Sequence, residues 1–437
     1  MVDIPSAREV AERTGRTLLS AAHWRARLVL WTGGVAVGGM AVAFARLADL
    51  ATQGLQQLLH LWRWTPCVLA PLGFALLSFL TRRYFSGAEG SGIPQTIFTL
   101  GAESGATRDR LLRLRVAVGR MVLAGAGLLC GASIGREGPS VHVGAILNHW
   151  LARFMPHGGT EAQRRVMIMA GGAAGVAAAF NTPLAGIVFA IEELSRSFEE
   201  RASGVTLTAV IIAGVFSIAL VGDYTYFGQP GVVNVPGVFA ATTLAVALGG
   251  GVAGGLFSRI VLAGVRGMPW VLGRLQRRRP VLFALVCGIV VAVIGVVAGQ
   301  LTFGTGYDEA RSILVSGAHL PWYYAPARAA ATLAAFFSGI PAGILSPSLS
   351  VGAGLGQLIA DLGHEPAVVP FAILGMCSYL AGVTQAPLTS LVIVMEMTTQ
   401  HAMVLPLMVA AALATAVSKL LTPPLYRTLA GRYERGA

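Results

Sequence analysis

The sequence predicts an all-α protein that crosses a membrane many times. Of its 437 residues, 55% are hydrophobic and only 12% are charged, and the mean hydropathy is +0.69. A soluble domain carries about 25% charged residues, and an unfolded chain combines low hydrophobicity with high charge. At about 20 residues per crossing, the chain is long enough for roughly ten or more membrane helices. A soluble enzyme and a disordered chain are therefore both excluded.

Apolar stretches follow one another along the chain, and several are shorter than a full crossing. Glycine (55 residues) and proline (21 residues) interrupt their interiors. In lipid, a broken helix is tolerated only where its freed backbone groups face protein or a water-filled cavity. The interruptions therefore predict helices that stop inside the membrane and surround a pathway or a binding site. The stretches cover approximately residues 28–60, 66–80, 116–134, 166–192, 205–222, 236–265, 280–303, 327–360, 367–397 and 402–421.

The net charge of +12 is concentrated in short basic clusters between the apolar stretches. This distribution follows the positive-inside rule and predicts that both termini are cytoplasmic. Residues 1–27 are polar and are expected to form an amphipathic cytoplasmic helix rather than a cleaved signal peptide. A basic face for nucleic acid or anionic lipid is disfavoured, because no cluster lies in an aromatic-rich polar domain.

An internal repeat relates the two halves of the chain. The stronger matches align Gly135–Ala145 with Gly343–Ala353 and Thr182–Glu192 with Ala386–Glu396, and a weaker match aligns Gly90–Gly92 with Gly304–Gly306. Repeats of this kind in transporters usually have inverted topology, and the substrate site forms from half-helices at the repeat interface. The repeat therefore predicts where a site lies.

Three glycine-rich turns in apolar surroundings each lead into a proline. They are Gly90-Ser91-Gly92-Ile93-Pro94, Gly135-Arg136-Glu137-Gly138-Pro139 and Gly343-Ile344-Leu345-Ser346-Pro347. Proline is tolerated at the start of a helix, and glycine lets the backbone turn and expose its N–H groups. Each helix start presents unpaired donors and the positive end of the helix dipole. Several converging starts, with the Ser91 hydroxyl, would bind a small anion and still release it.

Glu137 is the most informative single residue, because an ionisable side chain inside a membrane is costly and marks a functional site by default. While ionised, a carboxylate on the donors of an anion site competes with the anion, and it leaves when protonated. The sequence therefore predicts that Glu137 is both a gate and a proton carrier. His142 is expected to be a packed polar residue rather than a proton relay, and Arg120 to face a cavity or a carboxylate.

These motifs, in this order and at these separations, resemble the CLC family of chloride channels and proton-coupled chloride transporters. The segments Asn181–Glu193, Ala386–Thr398 and Pro424–Tyr426 also resemble family signatures, so the likeness covers about residues 25–430. It implies a CLC-type fold of two inverted repeats, chloride as the transported substrate, and no cofactor or metal. It also implies a homodimer, for which the stretches 205–222 and 402–421 offer an apolar interface.

The same resemblance implies roles for individual residues. Ser91 and Tyr426 would supply two hydroxyls around a central chloride, joined by the backbone N–H groups of Ile344 and Leu345, and Glu137 would be the external gating glutamate. Serine at position 91 implies chloride, since a relative with proline there favours nitrate. Leu345 replaces the usual phenylalanine and makes the pathway wall smaller. The residues that shape the helix starts are Gly90, Gly92, Pro94, Arg136, Gly138, Pro139, Gly343 and Pro347.

Glu193 separates a proton-coupled exchanger from a channel. By the resemblance, coupled members have a glutamate here that takes protons from the cytoplasmic side, whereas many channels have an apolar residue. The chain is therefore expected to be a chloride/proton antiporter of the inner cell membrane. An uncoupled chloride channel remains the alternative, because Glu193 shares a charged segment with Glu192, Glu199 and Glu200 and would then be a solvated charge.

The expected organisation is a cytoplasmic helix at 1–27, a first repeat at 28–225, a second repeat at 226–426 and a cytoplasmic tail at 427–437. No cytoplasmic nucleotide-binding domain is expected, as in the short prokaryotic form of the family. An enzyme is disfavoured, because the phosphate-binding G-x-x-x-x-G-K-[ST], the metal-binding H-E-x-x-H and the nucleophilic G-x-S-x-G motifs are all absent. A membrane scaffold would not explain Glu137.

Overall fold

The computed structural model describes residues 20–102, 105–195, 204–222, 226–228, 230–231, 237–238 and 240–435. Within these ranges the protein is helical, with isolated β-bridges only, and the prediction of an all-α fold is confirmed. The α-helices are α1 (Ala21–Leu61), α2 (Thr65–Tyr84), α3 (Ile93–Gly101), α4 (Ala106–Leu111), α5 (Leu114–Leu129), α6 (Glu137–Leu151), α7 (Glu161–Phe180), α8 (Pro183–Phe189), α9 (Gly204–Val221), α10 (Ala241–Arg266), α11 (Trp270–Arg278), α12 (Pro280–Val297), α13 (Tyr307–Ser316), α14 (Tyr324–Phe337), α15 (Leu345–Leu362), α16 (Val369–Thr384), α17 (Pro387–Thr398), α18 (Val404–Leu421) and α19 (Leu425–Arg435).

Six of the described helical segments are long and apolar enough to cross a membrane. They are Trp24–Leu61, Thr65–Tyr84, Gly204–Val221, Ala241–Arg266, Pro280–Val297 and His401–Leu421. Only 33–50% of the most apolar window of each segment is buried inside the protein, so large apolar side chains cover the outer surface. A bilayer is the solvent that such a surface requires. The chain is a multi-pass membrane protein.

The helices are broken at equivalent places in the two halves. Asn181 (φ 57°) separates α7 from α8, and Gln385 (φ 59°) separates α16 from α17. Each has a left-handed backbone that ends the helix, and a proline two residues later starts the next one. The apolar stretch 327–360 is likewise divided into α14 and α15. The prediction of interrupted helices is therefore confirmed.

Glu192 and Glu396 show that the repeats are inverted. Glu192, just beyond α8, accepts hydrogen bonds from two backbone N–H groups at the start of α17 (3.2 and 2.7 Å). Glu396, near the end of α17, accepts two from the start of α8 (3.1 and 2.6 Å). Because each carboxylate lies near the end of one helix and caps the beginning of the other, these equivalent helices run antiparallel.

The repeat also preserves close helix packing. Gly144 of α6 lies against Gly171 of α7, and Gly352 of α15 lies against Gly375 of α16. At each of these glycines, an added Cβ would collide with the carbonyl group of its partner. Small residues let membrane helices approach at the backbone. The two helix pairs are therefore the matching cores of the two repeats.

The structure describes most of the C-terminal end of the chain but not the first 19 residues. Residues 1–19 lie outside the described residues, and α1 already begins at Ala21, within the segment expected to form a separate helix. Residues 427–435, expected to be a tail, belong to α19. This helix packs against α3 and buries Leu425, Leu429 and Ala430. The C-terminal helix of the second half therefore packs against a helix of the first half.

Candidate functional site

The three glycine-rich turns meet in the structure. The backbone N–H of Gly90 donates to the carbonyl of Ile340 (3.0 Å), and that of Ala342 donates to the carbonyl of Gly90 (3.0 Å). The N–H of Gly135 donates to the carbonyl of Gly343 (2.7 Å). The starts of α3, α6 and α15 are therefore joined by main-chain hydrogen bonds, as the repeat predicted.

Arg120 stabilises the first glycine-rich turn by hydrogen bonds to its backbone. Its fully buried guanidinium donates to the carbonyls of Gly90 (2.9 Å) and Gly87 (3.0 Å). It therefore binds backbone carbonyls, and the carboxylate of Glu89 lies within electrostatic reach of it, as was expected of a buried arginine. Gly92 (φ 101°) leaves room for this arrangement, because an added Cβ would lie 2.6 Å from the carbonyl oxygen of Gly138 and 2.8 Å from the guanidinium.

Glu137 is the first residue of α6, and its side chain is fully buried. The Oε1 atom accepts hydrogen bonds from the hydroxyls of Ser346 (2.5 Å) and Tyr226 (3.3 Å). The Oε2 atom is buried and has no partner among the described residues. The sequence analysis missed both donors. Ser346 could have been found inside the third turn, whereas no pattern marks Tyr226, which lies between α9 and α10.

Ser91 and Tyr426 are neighbours, although they are far apart in the sequence. Both are buried, at 2% and 1% exposure; their hydroxyls lie within reach of each other, and neither has any other hydrogen-bond partner among the described residues. Ile344 and Leu345 are buried at the start of α15, where backbone N–H groups have no intrahelical acceptor. An added Cβ at Gly138 would lie 2.7 Å from the Ser91 hydroxyl, so the second turn is also close. Buried donors without acceptors are what a small anion requires.

The remaining predicted turn residues shape the same helix starts. Gly92, Pro94, Gly138, Pro139, Gly343 and Pro347 are buried, and Gly90 and Arg136 are partly exposed. An added Cβ at Gly343 would collide with the carbonyl of Gly135. These glycines therefore permit the close approach of the second and third turns.

Two cavities reach this region. One, the Arg136 cavity, has a volume of about 430 Å³ and is lined by Arg136, Tyr226 and Thr305 among others. The other, the Ser91 cavity, has a volume of about 380 Å³ and includes Ser91 and Pro94. The first is lined by Arg46 and Arg136 but also by Asp49 and Asp308, whereas the second, with Arg82 and Arg432 against Glu89, has an excess of positive charge. Glu137 lines neither cavity.

Glu193 is 7% exposed, and its Oε2 atom has no partner among the described residues. It lies in the π-helical turn Ala190–Leu194 that continues α8, and such turns are frequent at functional sites. Tyr426 lies within electrostatic reach of both Glu193 and Glu137. The burial does not fit a solvated loop charge. Glu199 and Glu200, the other members of the charged segment, lie outside the described residues.

Two further possibilities among the described residues are a role for His142 and a cluster that could bind a metal ion. His142 is fully buried on α6 beside Gly92, and it lines neither cavity. Within the described part of the chain, no group of three or more His, Cys, Asp or Glu side chains is arranged to hold a metal ion.

Comparison with known proteins gives the family. The sequence profile of the voltage-gated chloride channel family matches residues 73–419. The H⁺/Cl⁻ exchange transporter ClcA of Cronobacter sakazakii is 31% identical over 423 residues, covering 91% of this chain and 88% of that protein. A putative chloride channel protein, ClcB-like, of Ralstonia nicotianae is 30% identical over 383 residues, covering 82% and 84%.

Solved structures show the same fold. A slow cyanobacterial Cl⁻/H⁺ antiporter superposes with a TM-score of 0.81 at 24% identity, covering 93% of this chain and 97% of that chain. A CLC-type fluoride/proton antiporter superposes with a TM-score of 0.77 at 21% identity, covering 97% and 99%.

The fold and the converging helix starts define a class of multi-pass ion-transport proteins built from two inverted repeats. Within that class, the family is established by the length of the profile match and by the sequence identity with the relatives. The chain belongs to the voltage-gated chloride channel family, also called the CLC family.

Proposed function

We propose that this protein is an antiporter that exchanges chloride for protons across the membrane. The observation that carries the proposal is the position of Glu137. Its buried carboxylate lies at the meeting point of the helix starts, within electrostatic reach of Tyr426, one of the two residues whose hydroxyls would bind chloride. The name of the Cronobacter relative, an H⁺/Cl⁻ exchange transporter, supports the same function. No cofactor and no catalytic activity are part of it.

The anion site proposed here is formed by the hydroxyls of Ser91 and Tyr426 and by the N–H groups of Ile344 and Leu345. All four residues are buried, and apart from each other the two hydroxyls have no hydrogen-bond partner among the described residues. Helix dipoles and hydroxyls stabilise an anion without a full opposite charge. The affinity of such a site is high enough for chloride to enter it and low enough for chloride to leave again.

Glu137 acts as the gate of this site. While ionised, its carboxylate accepts hydrogen bonds from the donors that lie between the Arg136 cavity and the central site. Its negative charge then repels the anion. When it is protonated, the charge is lost, the side chain leaves, and chloride takes its place. Because protons and chloride use the same position in turn, they move in opposite directions.

Glu193 supplies protons from the opposite side. Its side chain is buried where a purely structural surface charge would be solvated, and Tyr426 lies within reach of both glutamates. These observations favour the antiporter over the uncoupled channel. The side chain of Leu345 is smaller than that of a phenylalanine, so the path between Glu137 and Glu193 is wider than it would be with phenylalanine at this position.

The proposed setting is the inner cell membrane, with both termini in the cytoplasm. The Arg136 cavity then opens to the outside, and the Ser91 cavity opens to the cytoplasm. We further propose a homodimer with one pathway per subunit. Leu207, Ile211 and Val215 of α9 and Leu405 and Met408 of α18 present exposed apolar side chains for that interface.

The experiment is proton movement in chloride-loaded liposomes that contain the purified protein. An imposed chloride gradient is the sole driving force, and a potassium ionophore sets the voltage. Uphill proton movement that disappears in Glu137→Gln, while chloride still moves, is the expected result. Chloride efflux without any proton movement in the wild type would identify an uncoupled channel. Unchanged proton transport in Glu137→Gln would overturn the gate assignment.

A further inference from the structure

Two hydroxyl groups from distant parts of the chain converge on one oxygen of Glu137. Tyr226, between α9 and α10, and Ser346, near the start of α15, both donate to Oε1. We propose that Tyr226 is a positioning residue whose hydroxyl, with that of Ser346, holds the ionised Glu137 in place and sets the pH at which the outer pathway opens. This inference rests on the proposed function, since it concerns the regulation of the same gate.

The ring of Tyr226 is fixed independently of its hydroxyl. The side chain is 2% exposed, and its ring contacts Phe180, Phe227 and Tyr307 at centroid distances of 5.7, 5.0 and 5.3 Å. The guanidinium of Arg136 lies 5.4 Å from the ring centroid. Aromatic and cation–π contacts of this kind hold a ring in place without the help of its hydroxyl. A phenylalanine at position 226 would therefore keep the packing and lose only the hydroxyl.

The arrangement discriminates between the charge states of Glu137. An ionised carboxylate is acceptor-only and can receive both hydroxyl donors, whereas a protonated carboxyl must also donate its own O–H. The two hydroxyl donors on Oε1 therefore stabilise the ionised side chain in this position more than the protonated one.

Other charged and titratable groups around Glu137 come from each element packed against it. They are Arg136 and His142 of α6, Asp49 of α1, Arg120 of α5, Tyr307 of α13 and Tyr426 of α19. Arg136 is itself paired with Asp49 at 3.7 Å. All of these groups remain in Tyr226→Phe, so this substitution isolates the contribution of one hydroxyl.

The first test is the pH dependence of chloride efflux from proteoliposomes. Hydroxyl donors that stabilise the ionised gate delay protonation to lower pH, so removing one lets the gate open at higher pH. Tyr226→Phe is expected to move the half-maximal rate toward alkaline pH by about one unit, a tenfold change in proton concentration. Ser346→Ala is expected to move it in the same direction. Tyr307→Phe, which removes a hydroxyl from the same aromatic cluster, is expected to leave the midpoint in place.

A second readout does not depend on transport. Infrared difference spectroscopy of the purified protein reports the protonated Glu137 carboxyl as a band that is absent in Glu137→Gln. An alkaline shift of its titration midpoint in Tyr226→Phe, but not in Tyr307→Phe, supports the inference. An unmoved midpoint, or equal shifts in both variants, overturns it. A wild type that exchanges no chloride for protons would refute the proposed function, while the infrared titration would still decide the role of Tyr226.

Discussion

Arg120 and Arg328 occupy equivalent positions in the two repeats, and each donates to carbonyl groups just before a Gly-x-Gly turn. Arg120 bonds to Gly90 (2.9 Å), and Arg328 bonds to Gly304 (2.8 Å). Both arginines are fully buried. The planar fork of arginine can bind several carbonyls at once, which a lysine ammonium on its flexible stem does less well. Both repeats therefore contain the Gly-x-Gly turn and a buried arginine that stabilises the turn through hydrogen bonds to its carbonyls.

Arg120→Lys is expected to lower both stability and transport. Each buried carbonyl left unpaired costs about 1–3 kcal/mol, and the turn that carries Ser91 loses its support. Thermal unfolding in detergent and chloride flux in liposomes measure the two effects. Arg328→Lys is the matched control, with a similar loss of stability but a smaller loss of flux, because its turn carries Thr305 instead of Ser91. Wild-type flux in Arg120→Lys would contradict the prediction.

Ser91→Pro is expected to change selectivity in favour of nitrate. The substitution removes one of the two hydroxyls at the proposed anion site, and chloride depends more on that donor than the larger nitrate does. The ratio of nitrate to chloride flux in liposomes is the measurement, and we expect it to rise. Thr305→Ala removes the hydroxyl at the equivalent position of the second repeat and is expected to leave the ratio unchanged. An unaltered ratio in Ser91→Pro would show that Ser91 does not contact the anion.

Glu193→Gln is expected to reduce proton transport by at least about tenfold while chloride flux continues. A positioned proton-transfer group typically contributes roughly 10²–10⁴-fold, and glutamine cannot carry a proton. Parallel recordings of proton and chloride movement give the ratio directly. Glu192→Gln is the neighbouring control and is expected to retain coupling, because Glu192 caps a helix. Equal loss of coupling in both variants would argue against a specific role for Glu193.

Glu192→Gln and Glu396→Gln are each expected to lower the stability of the protein by about 0.3–1 kcal/mol, the range for losing a favourable charge at a helix N-terminus. Glutamine can still accept a hydrogen bond, but it has no charge to stabilise the positive end of the helix dipole. Thermal unfolding in detergent measures the effect. The two losses should be similar, because the inverted repeat gives both carboxylates the same pair of backbone donors. A stable Glu396→Gln variant would show that its cap contributes little.

Much of the fold and part of the candidate site follow from local sequence. Composition alone indicates a multi-pass membrane protein, and glycine and proline mark where the helices break, because lipid tolerates free backbone groups only in protected places. The repeat predicts that the turns around Ser91, Glu137 and Leu345 meet, and the structure brings them together. For Arg120, a cavity or a carboxylate was expected; Glu89 is within electrostatic reach, but the hydrogen-bond partners are backbone carbonyls, which no sequence pattern indicated.

By itself, then, the sequence determined the class of protein, its two related halves and the positions of the helix starts, since these depend on hydrophobic length and backbone preference within short segments. Only the tertiary structure decided which groups contact Glu137. Tyr226 is 89 residues away from it and no sequence pattern marks it; Ser346 is 209 residues away, in a turn that the repeat brings close, but the repeat does not specify that its hydroxyl reaches the carboxylate. Such hydrogen bonds depend on how whole helices pack against each other, and that packing minimises the free energy of the entire molecule rather than of any one segment.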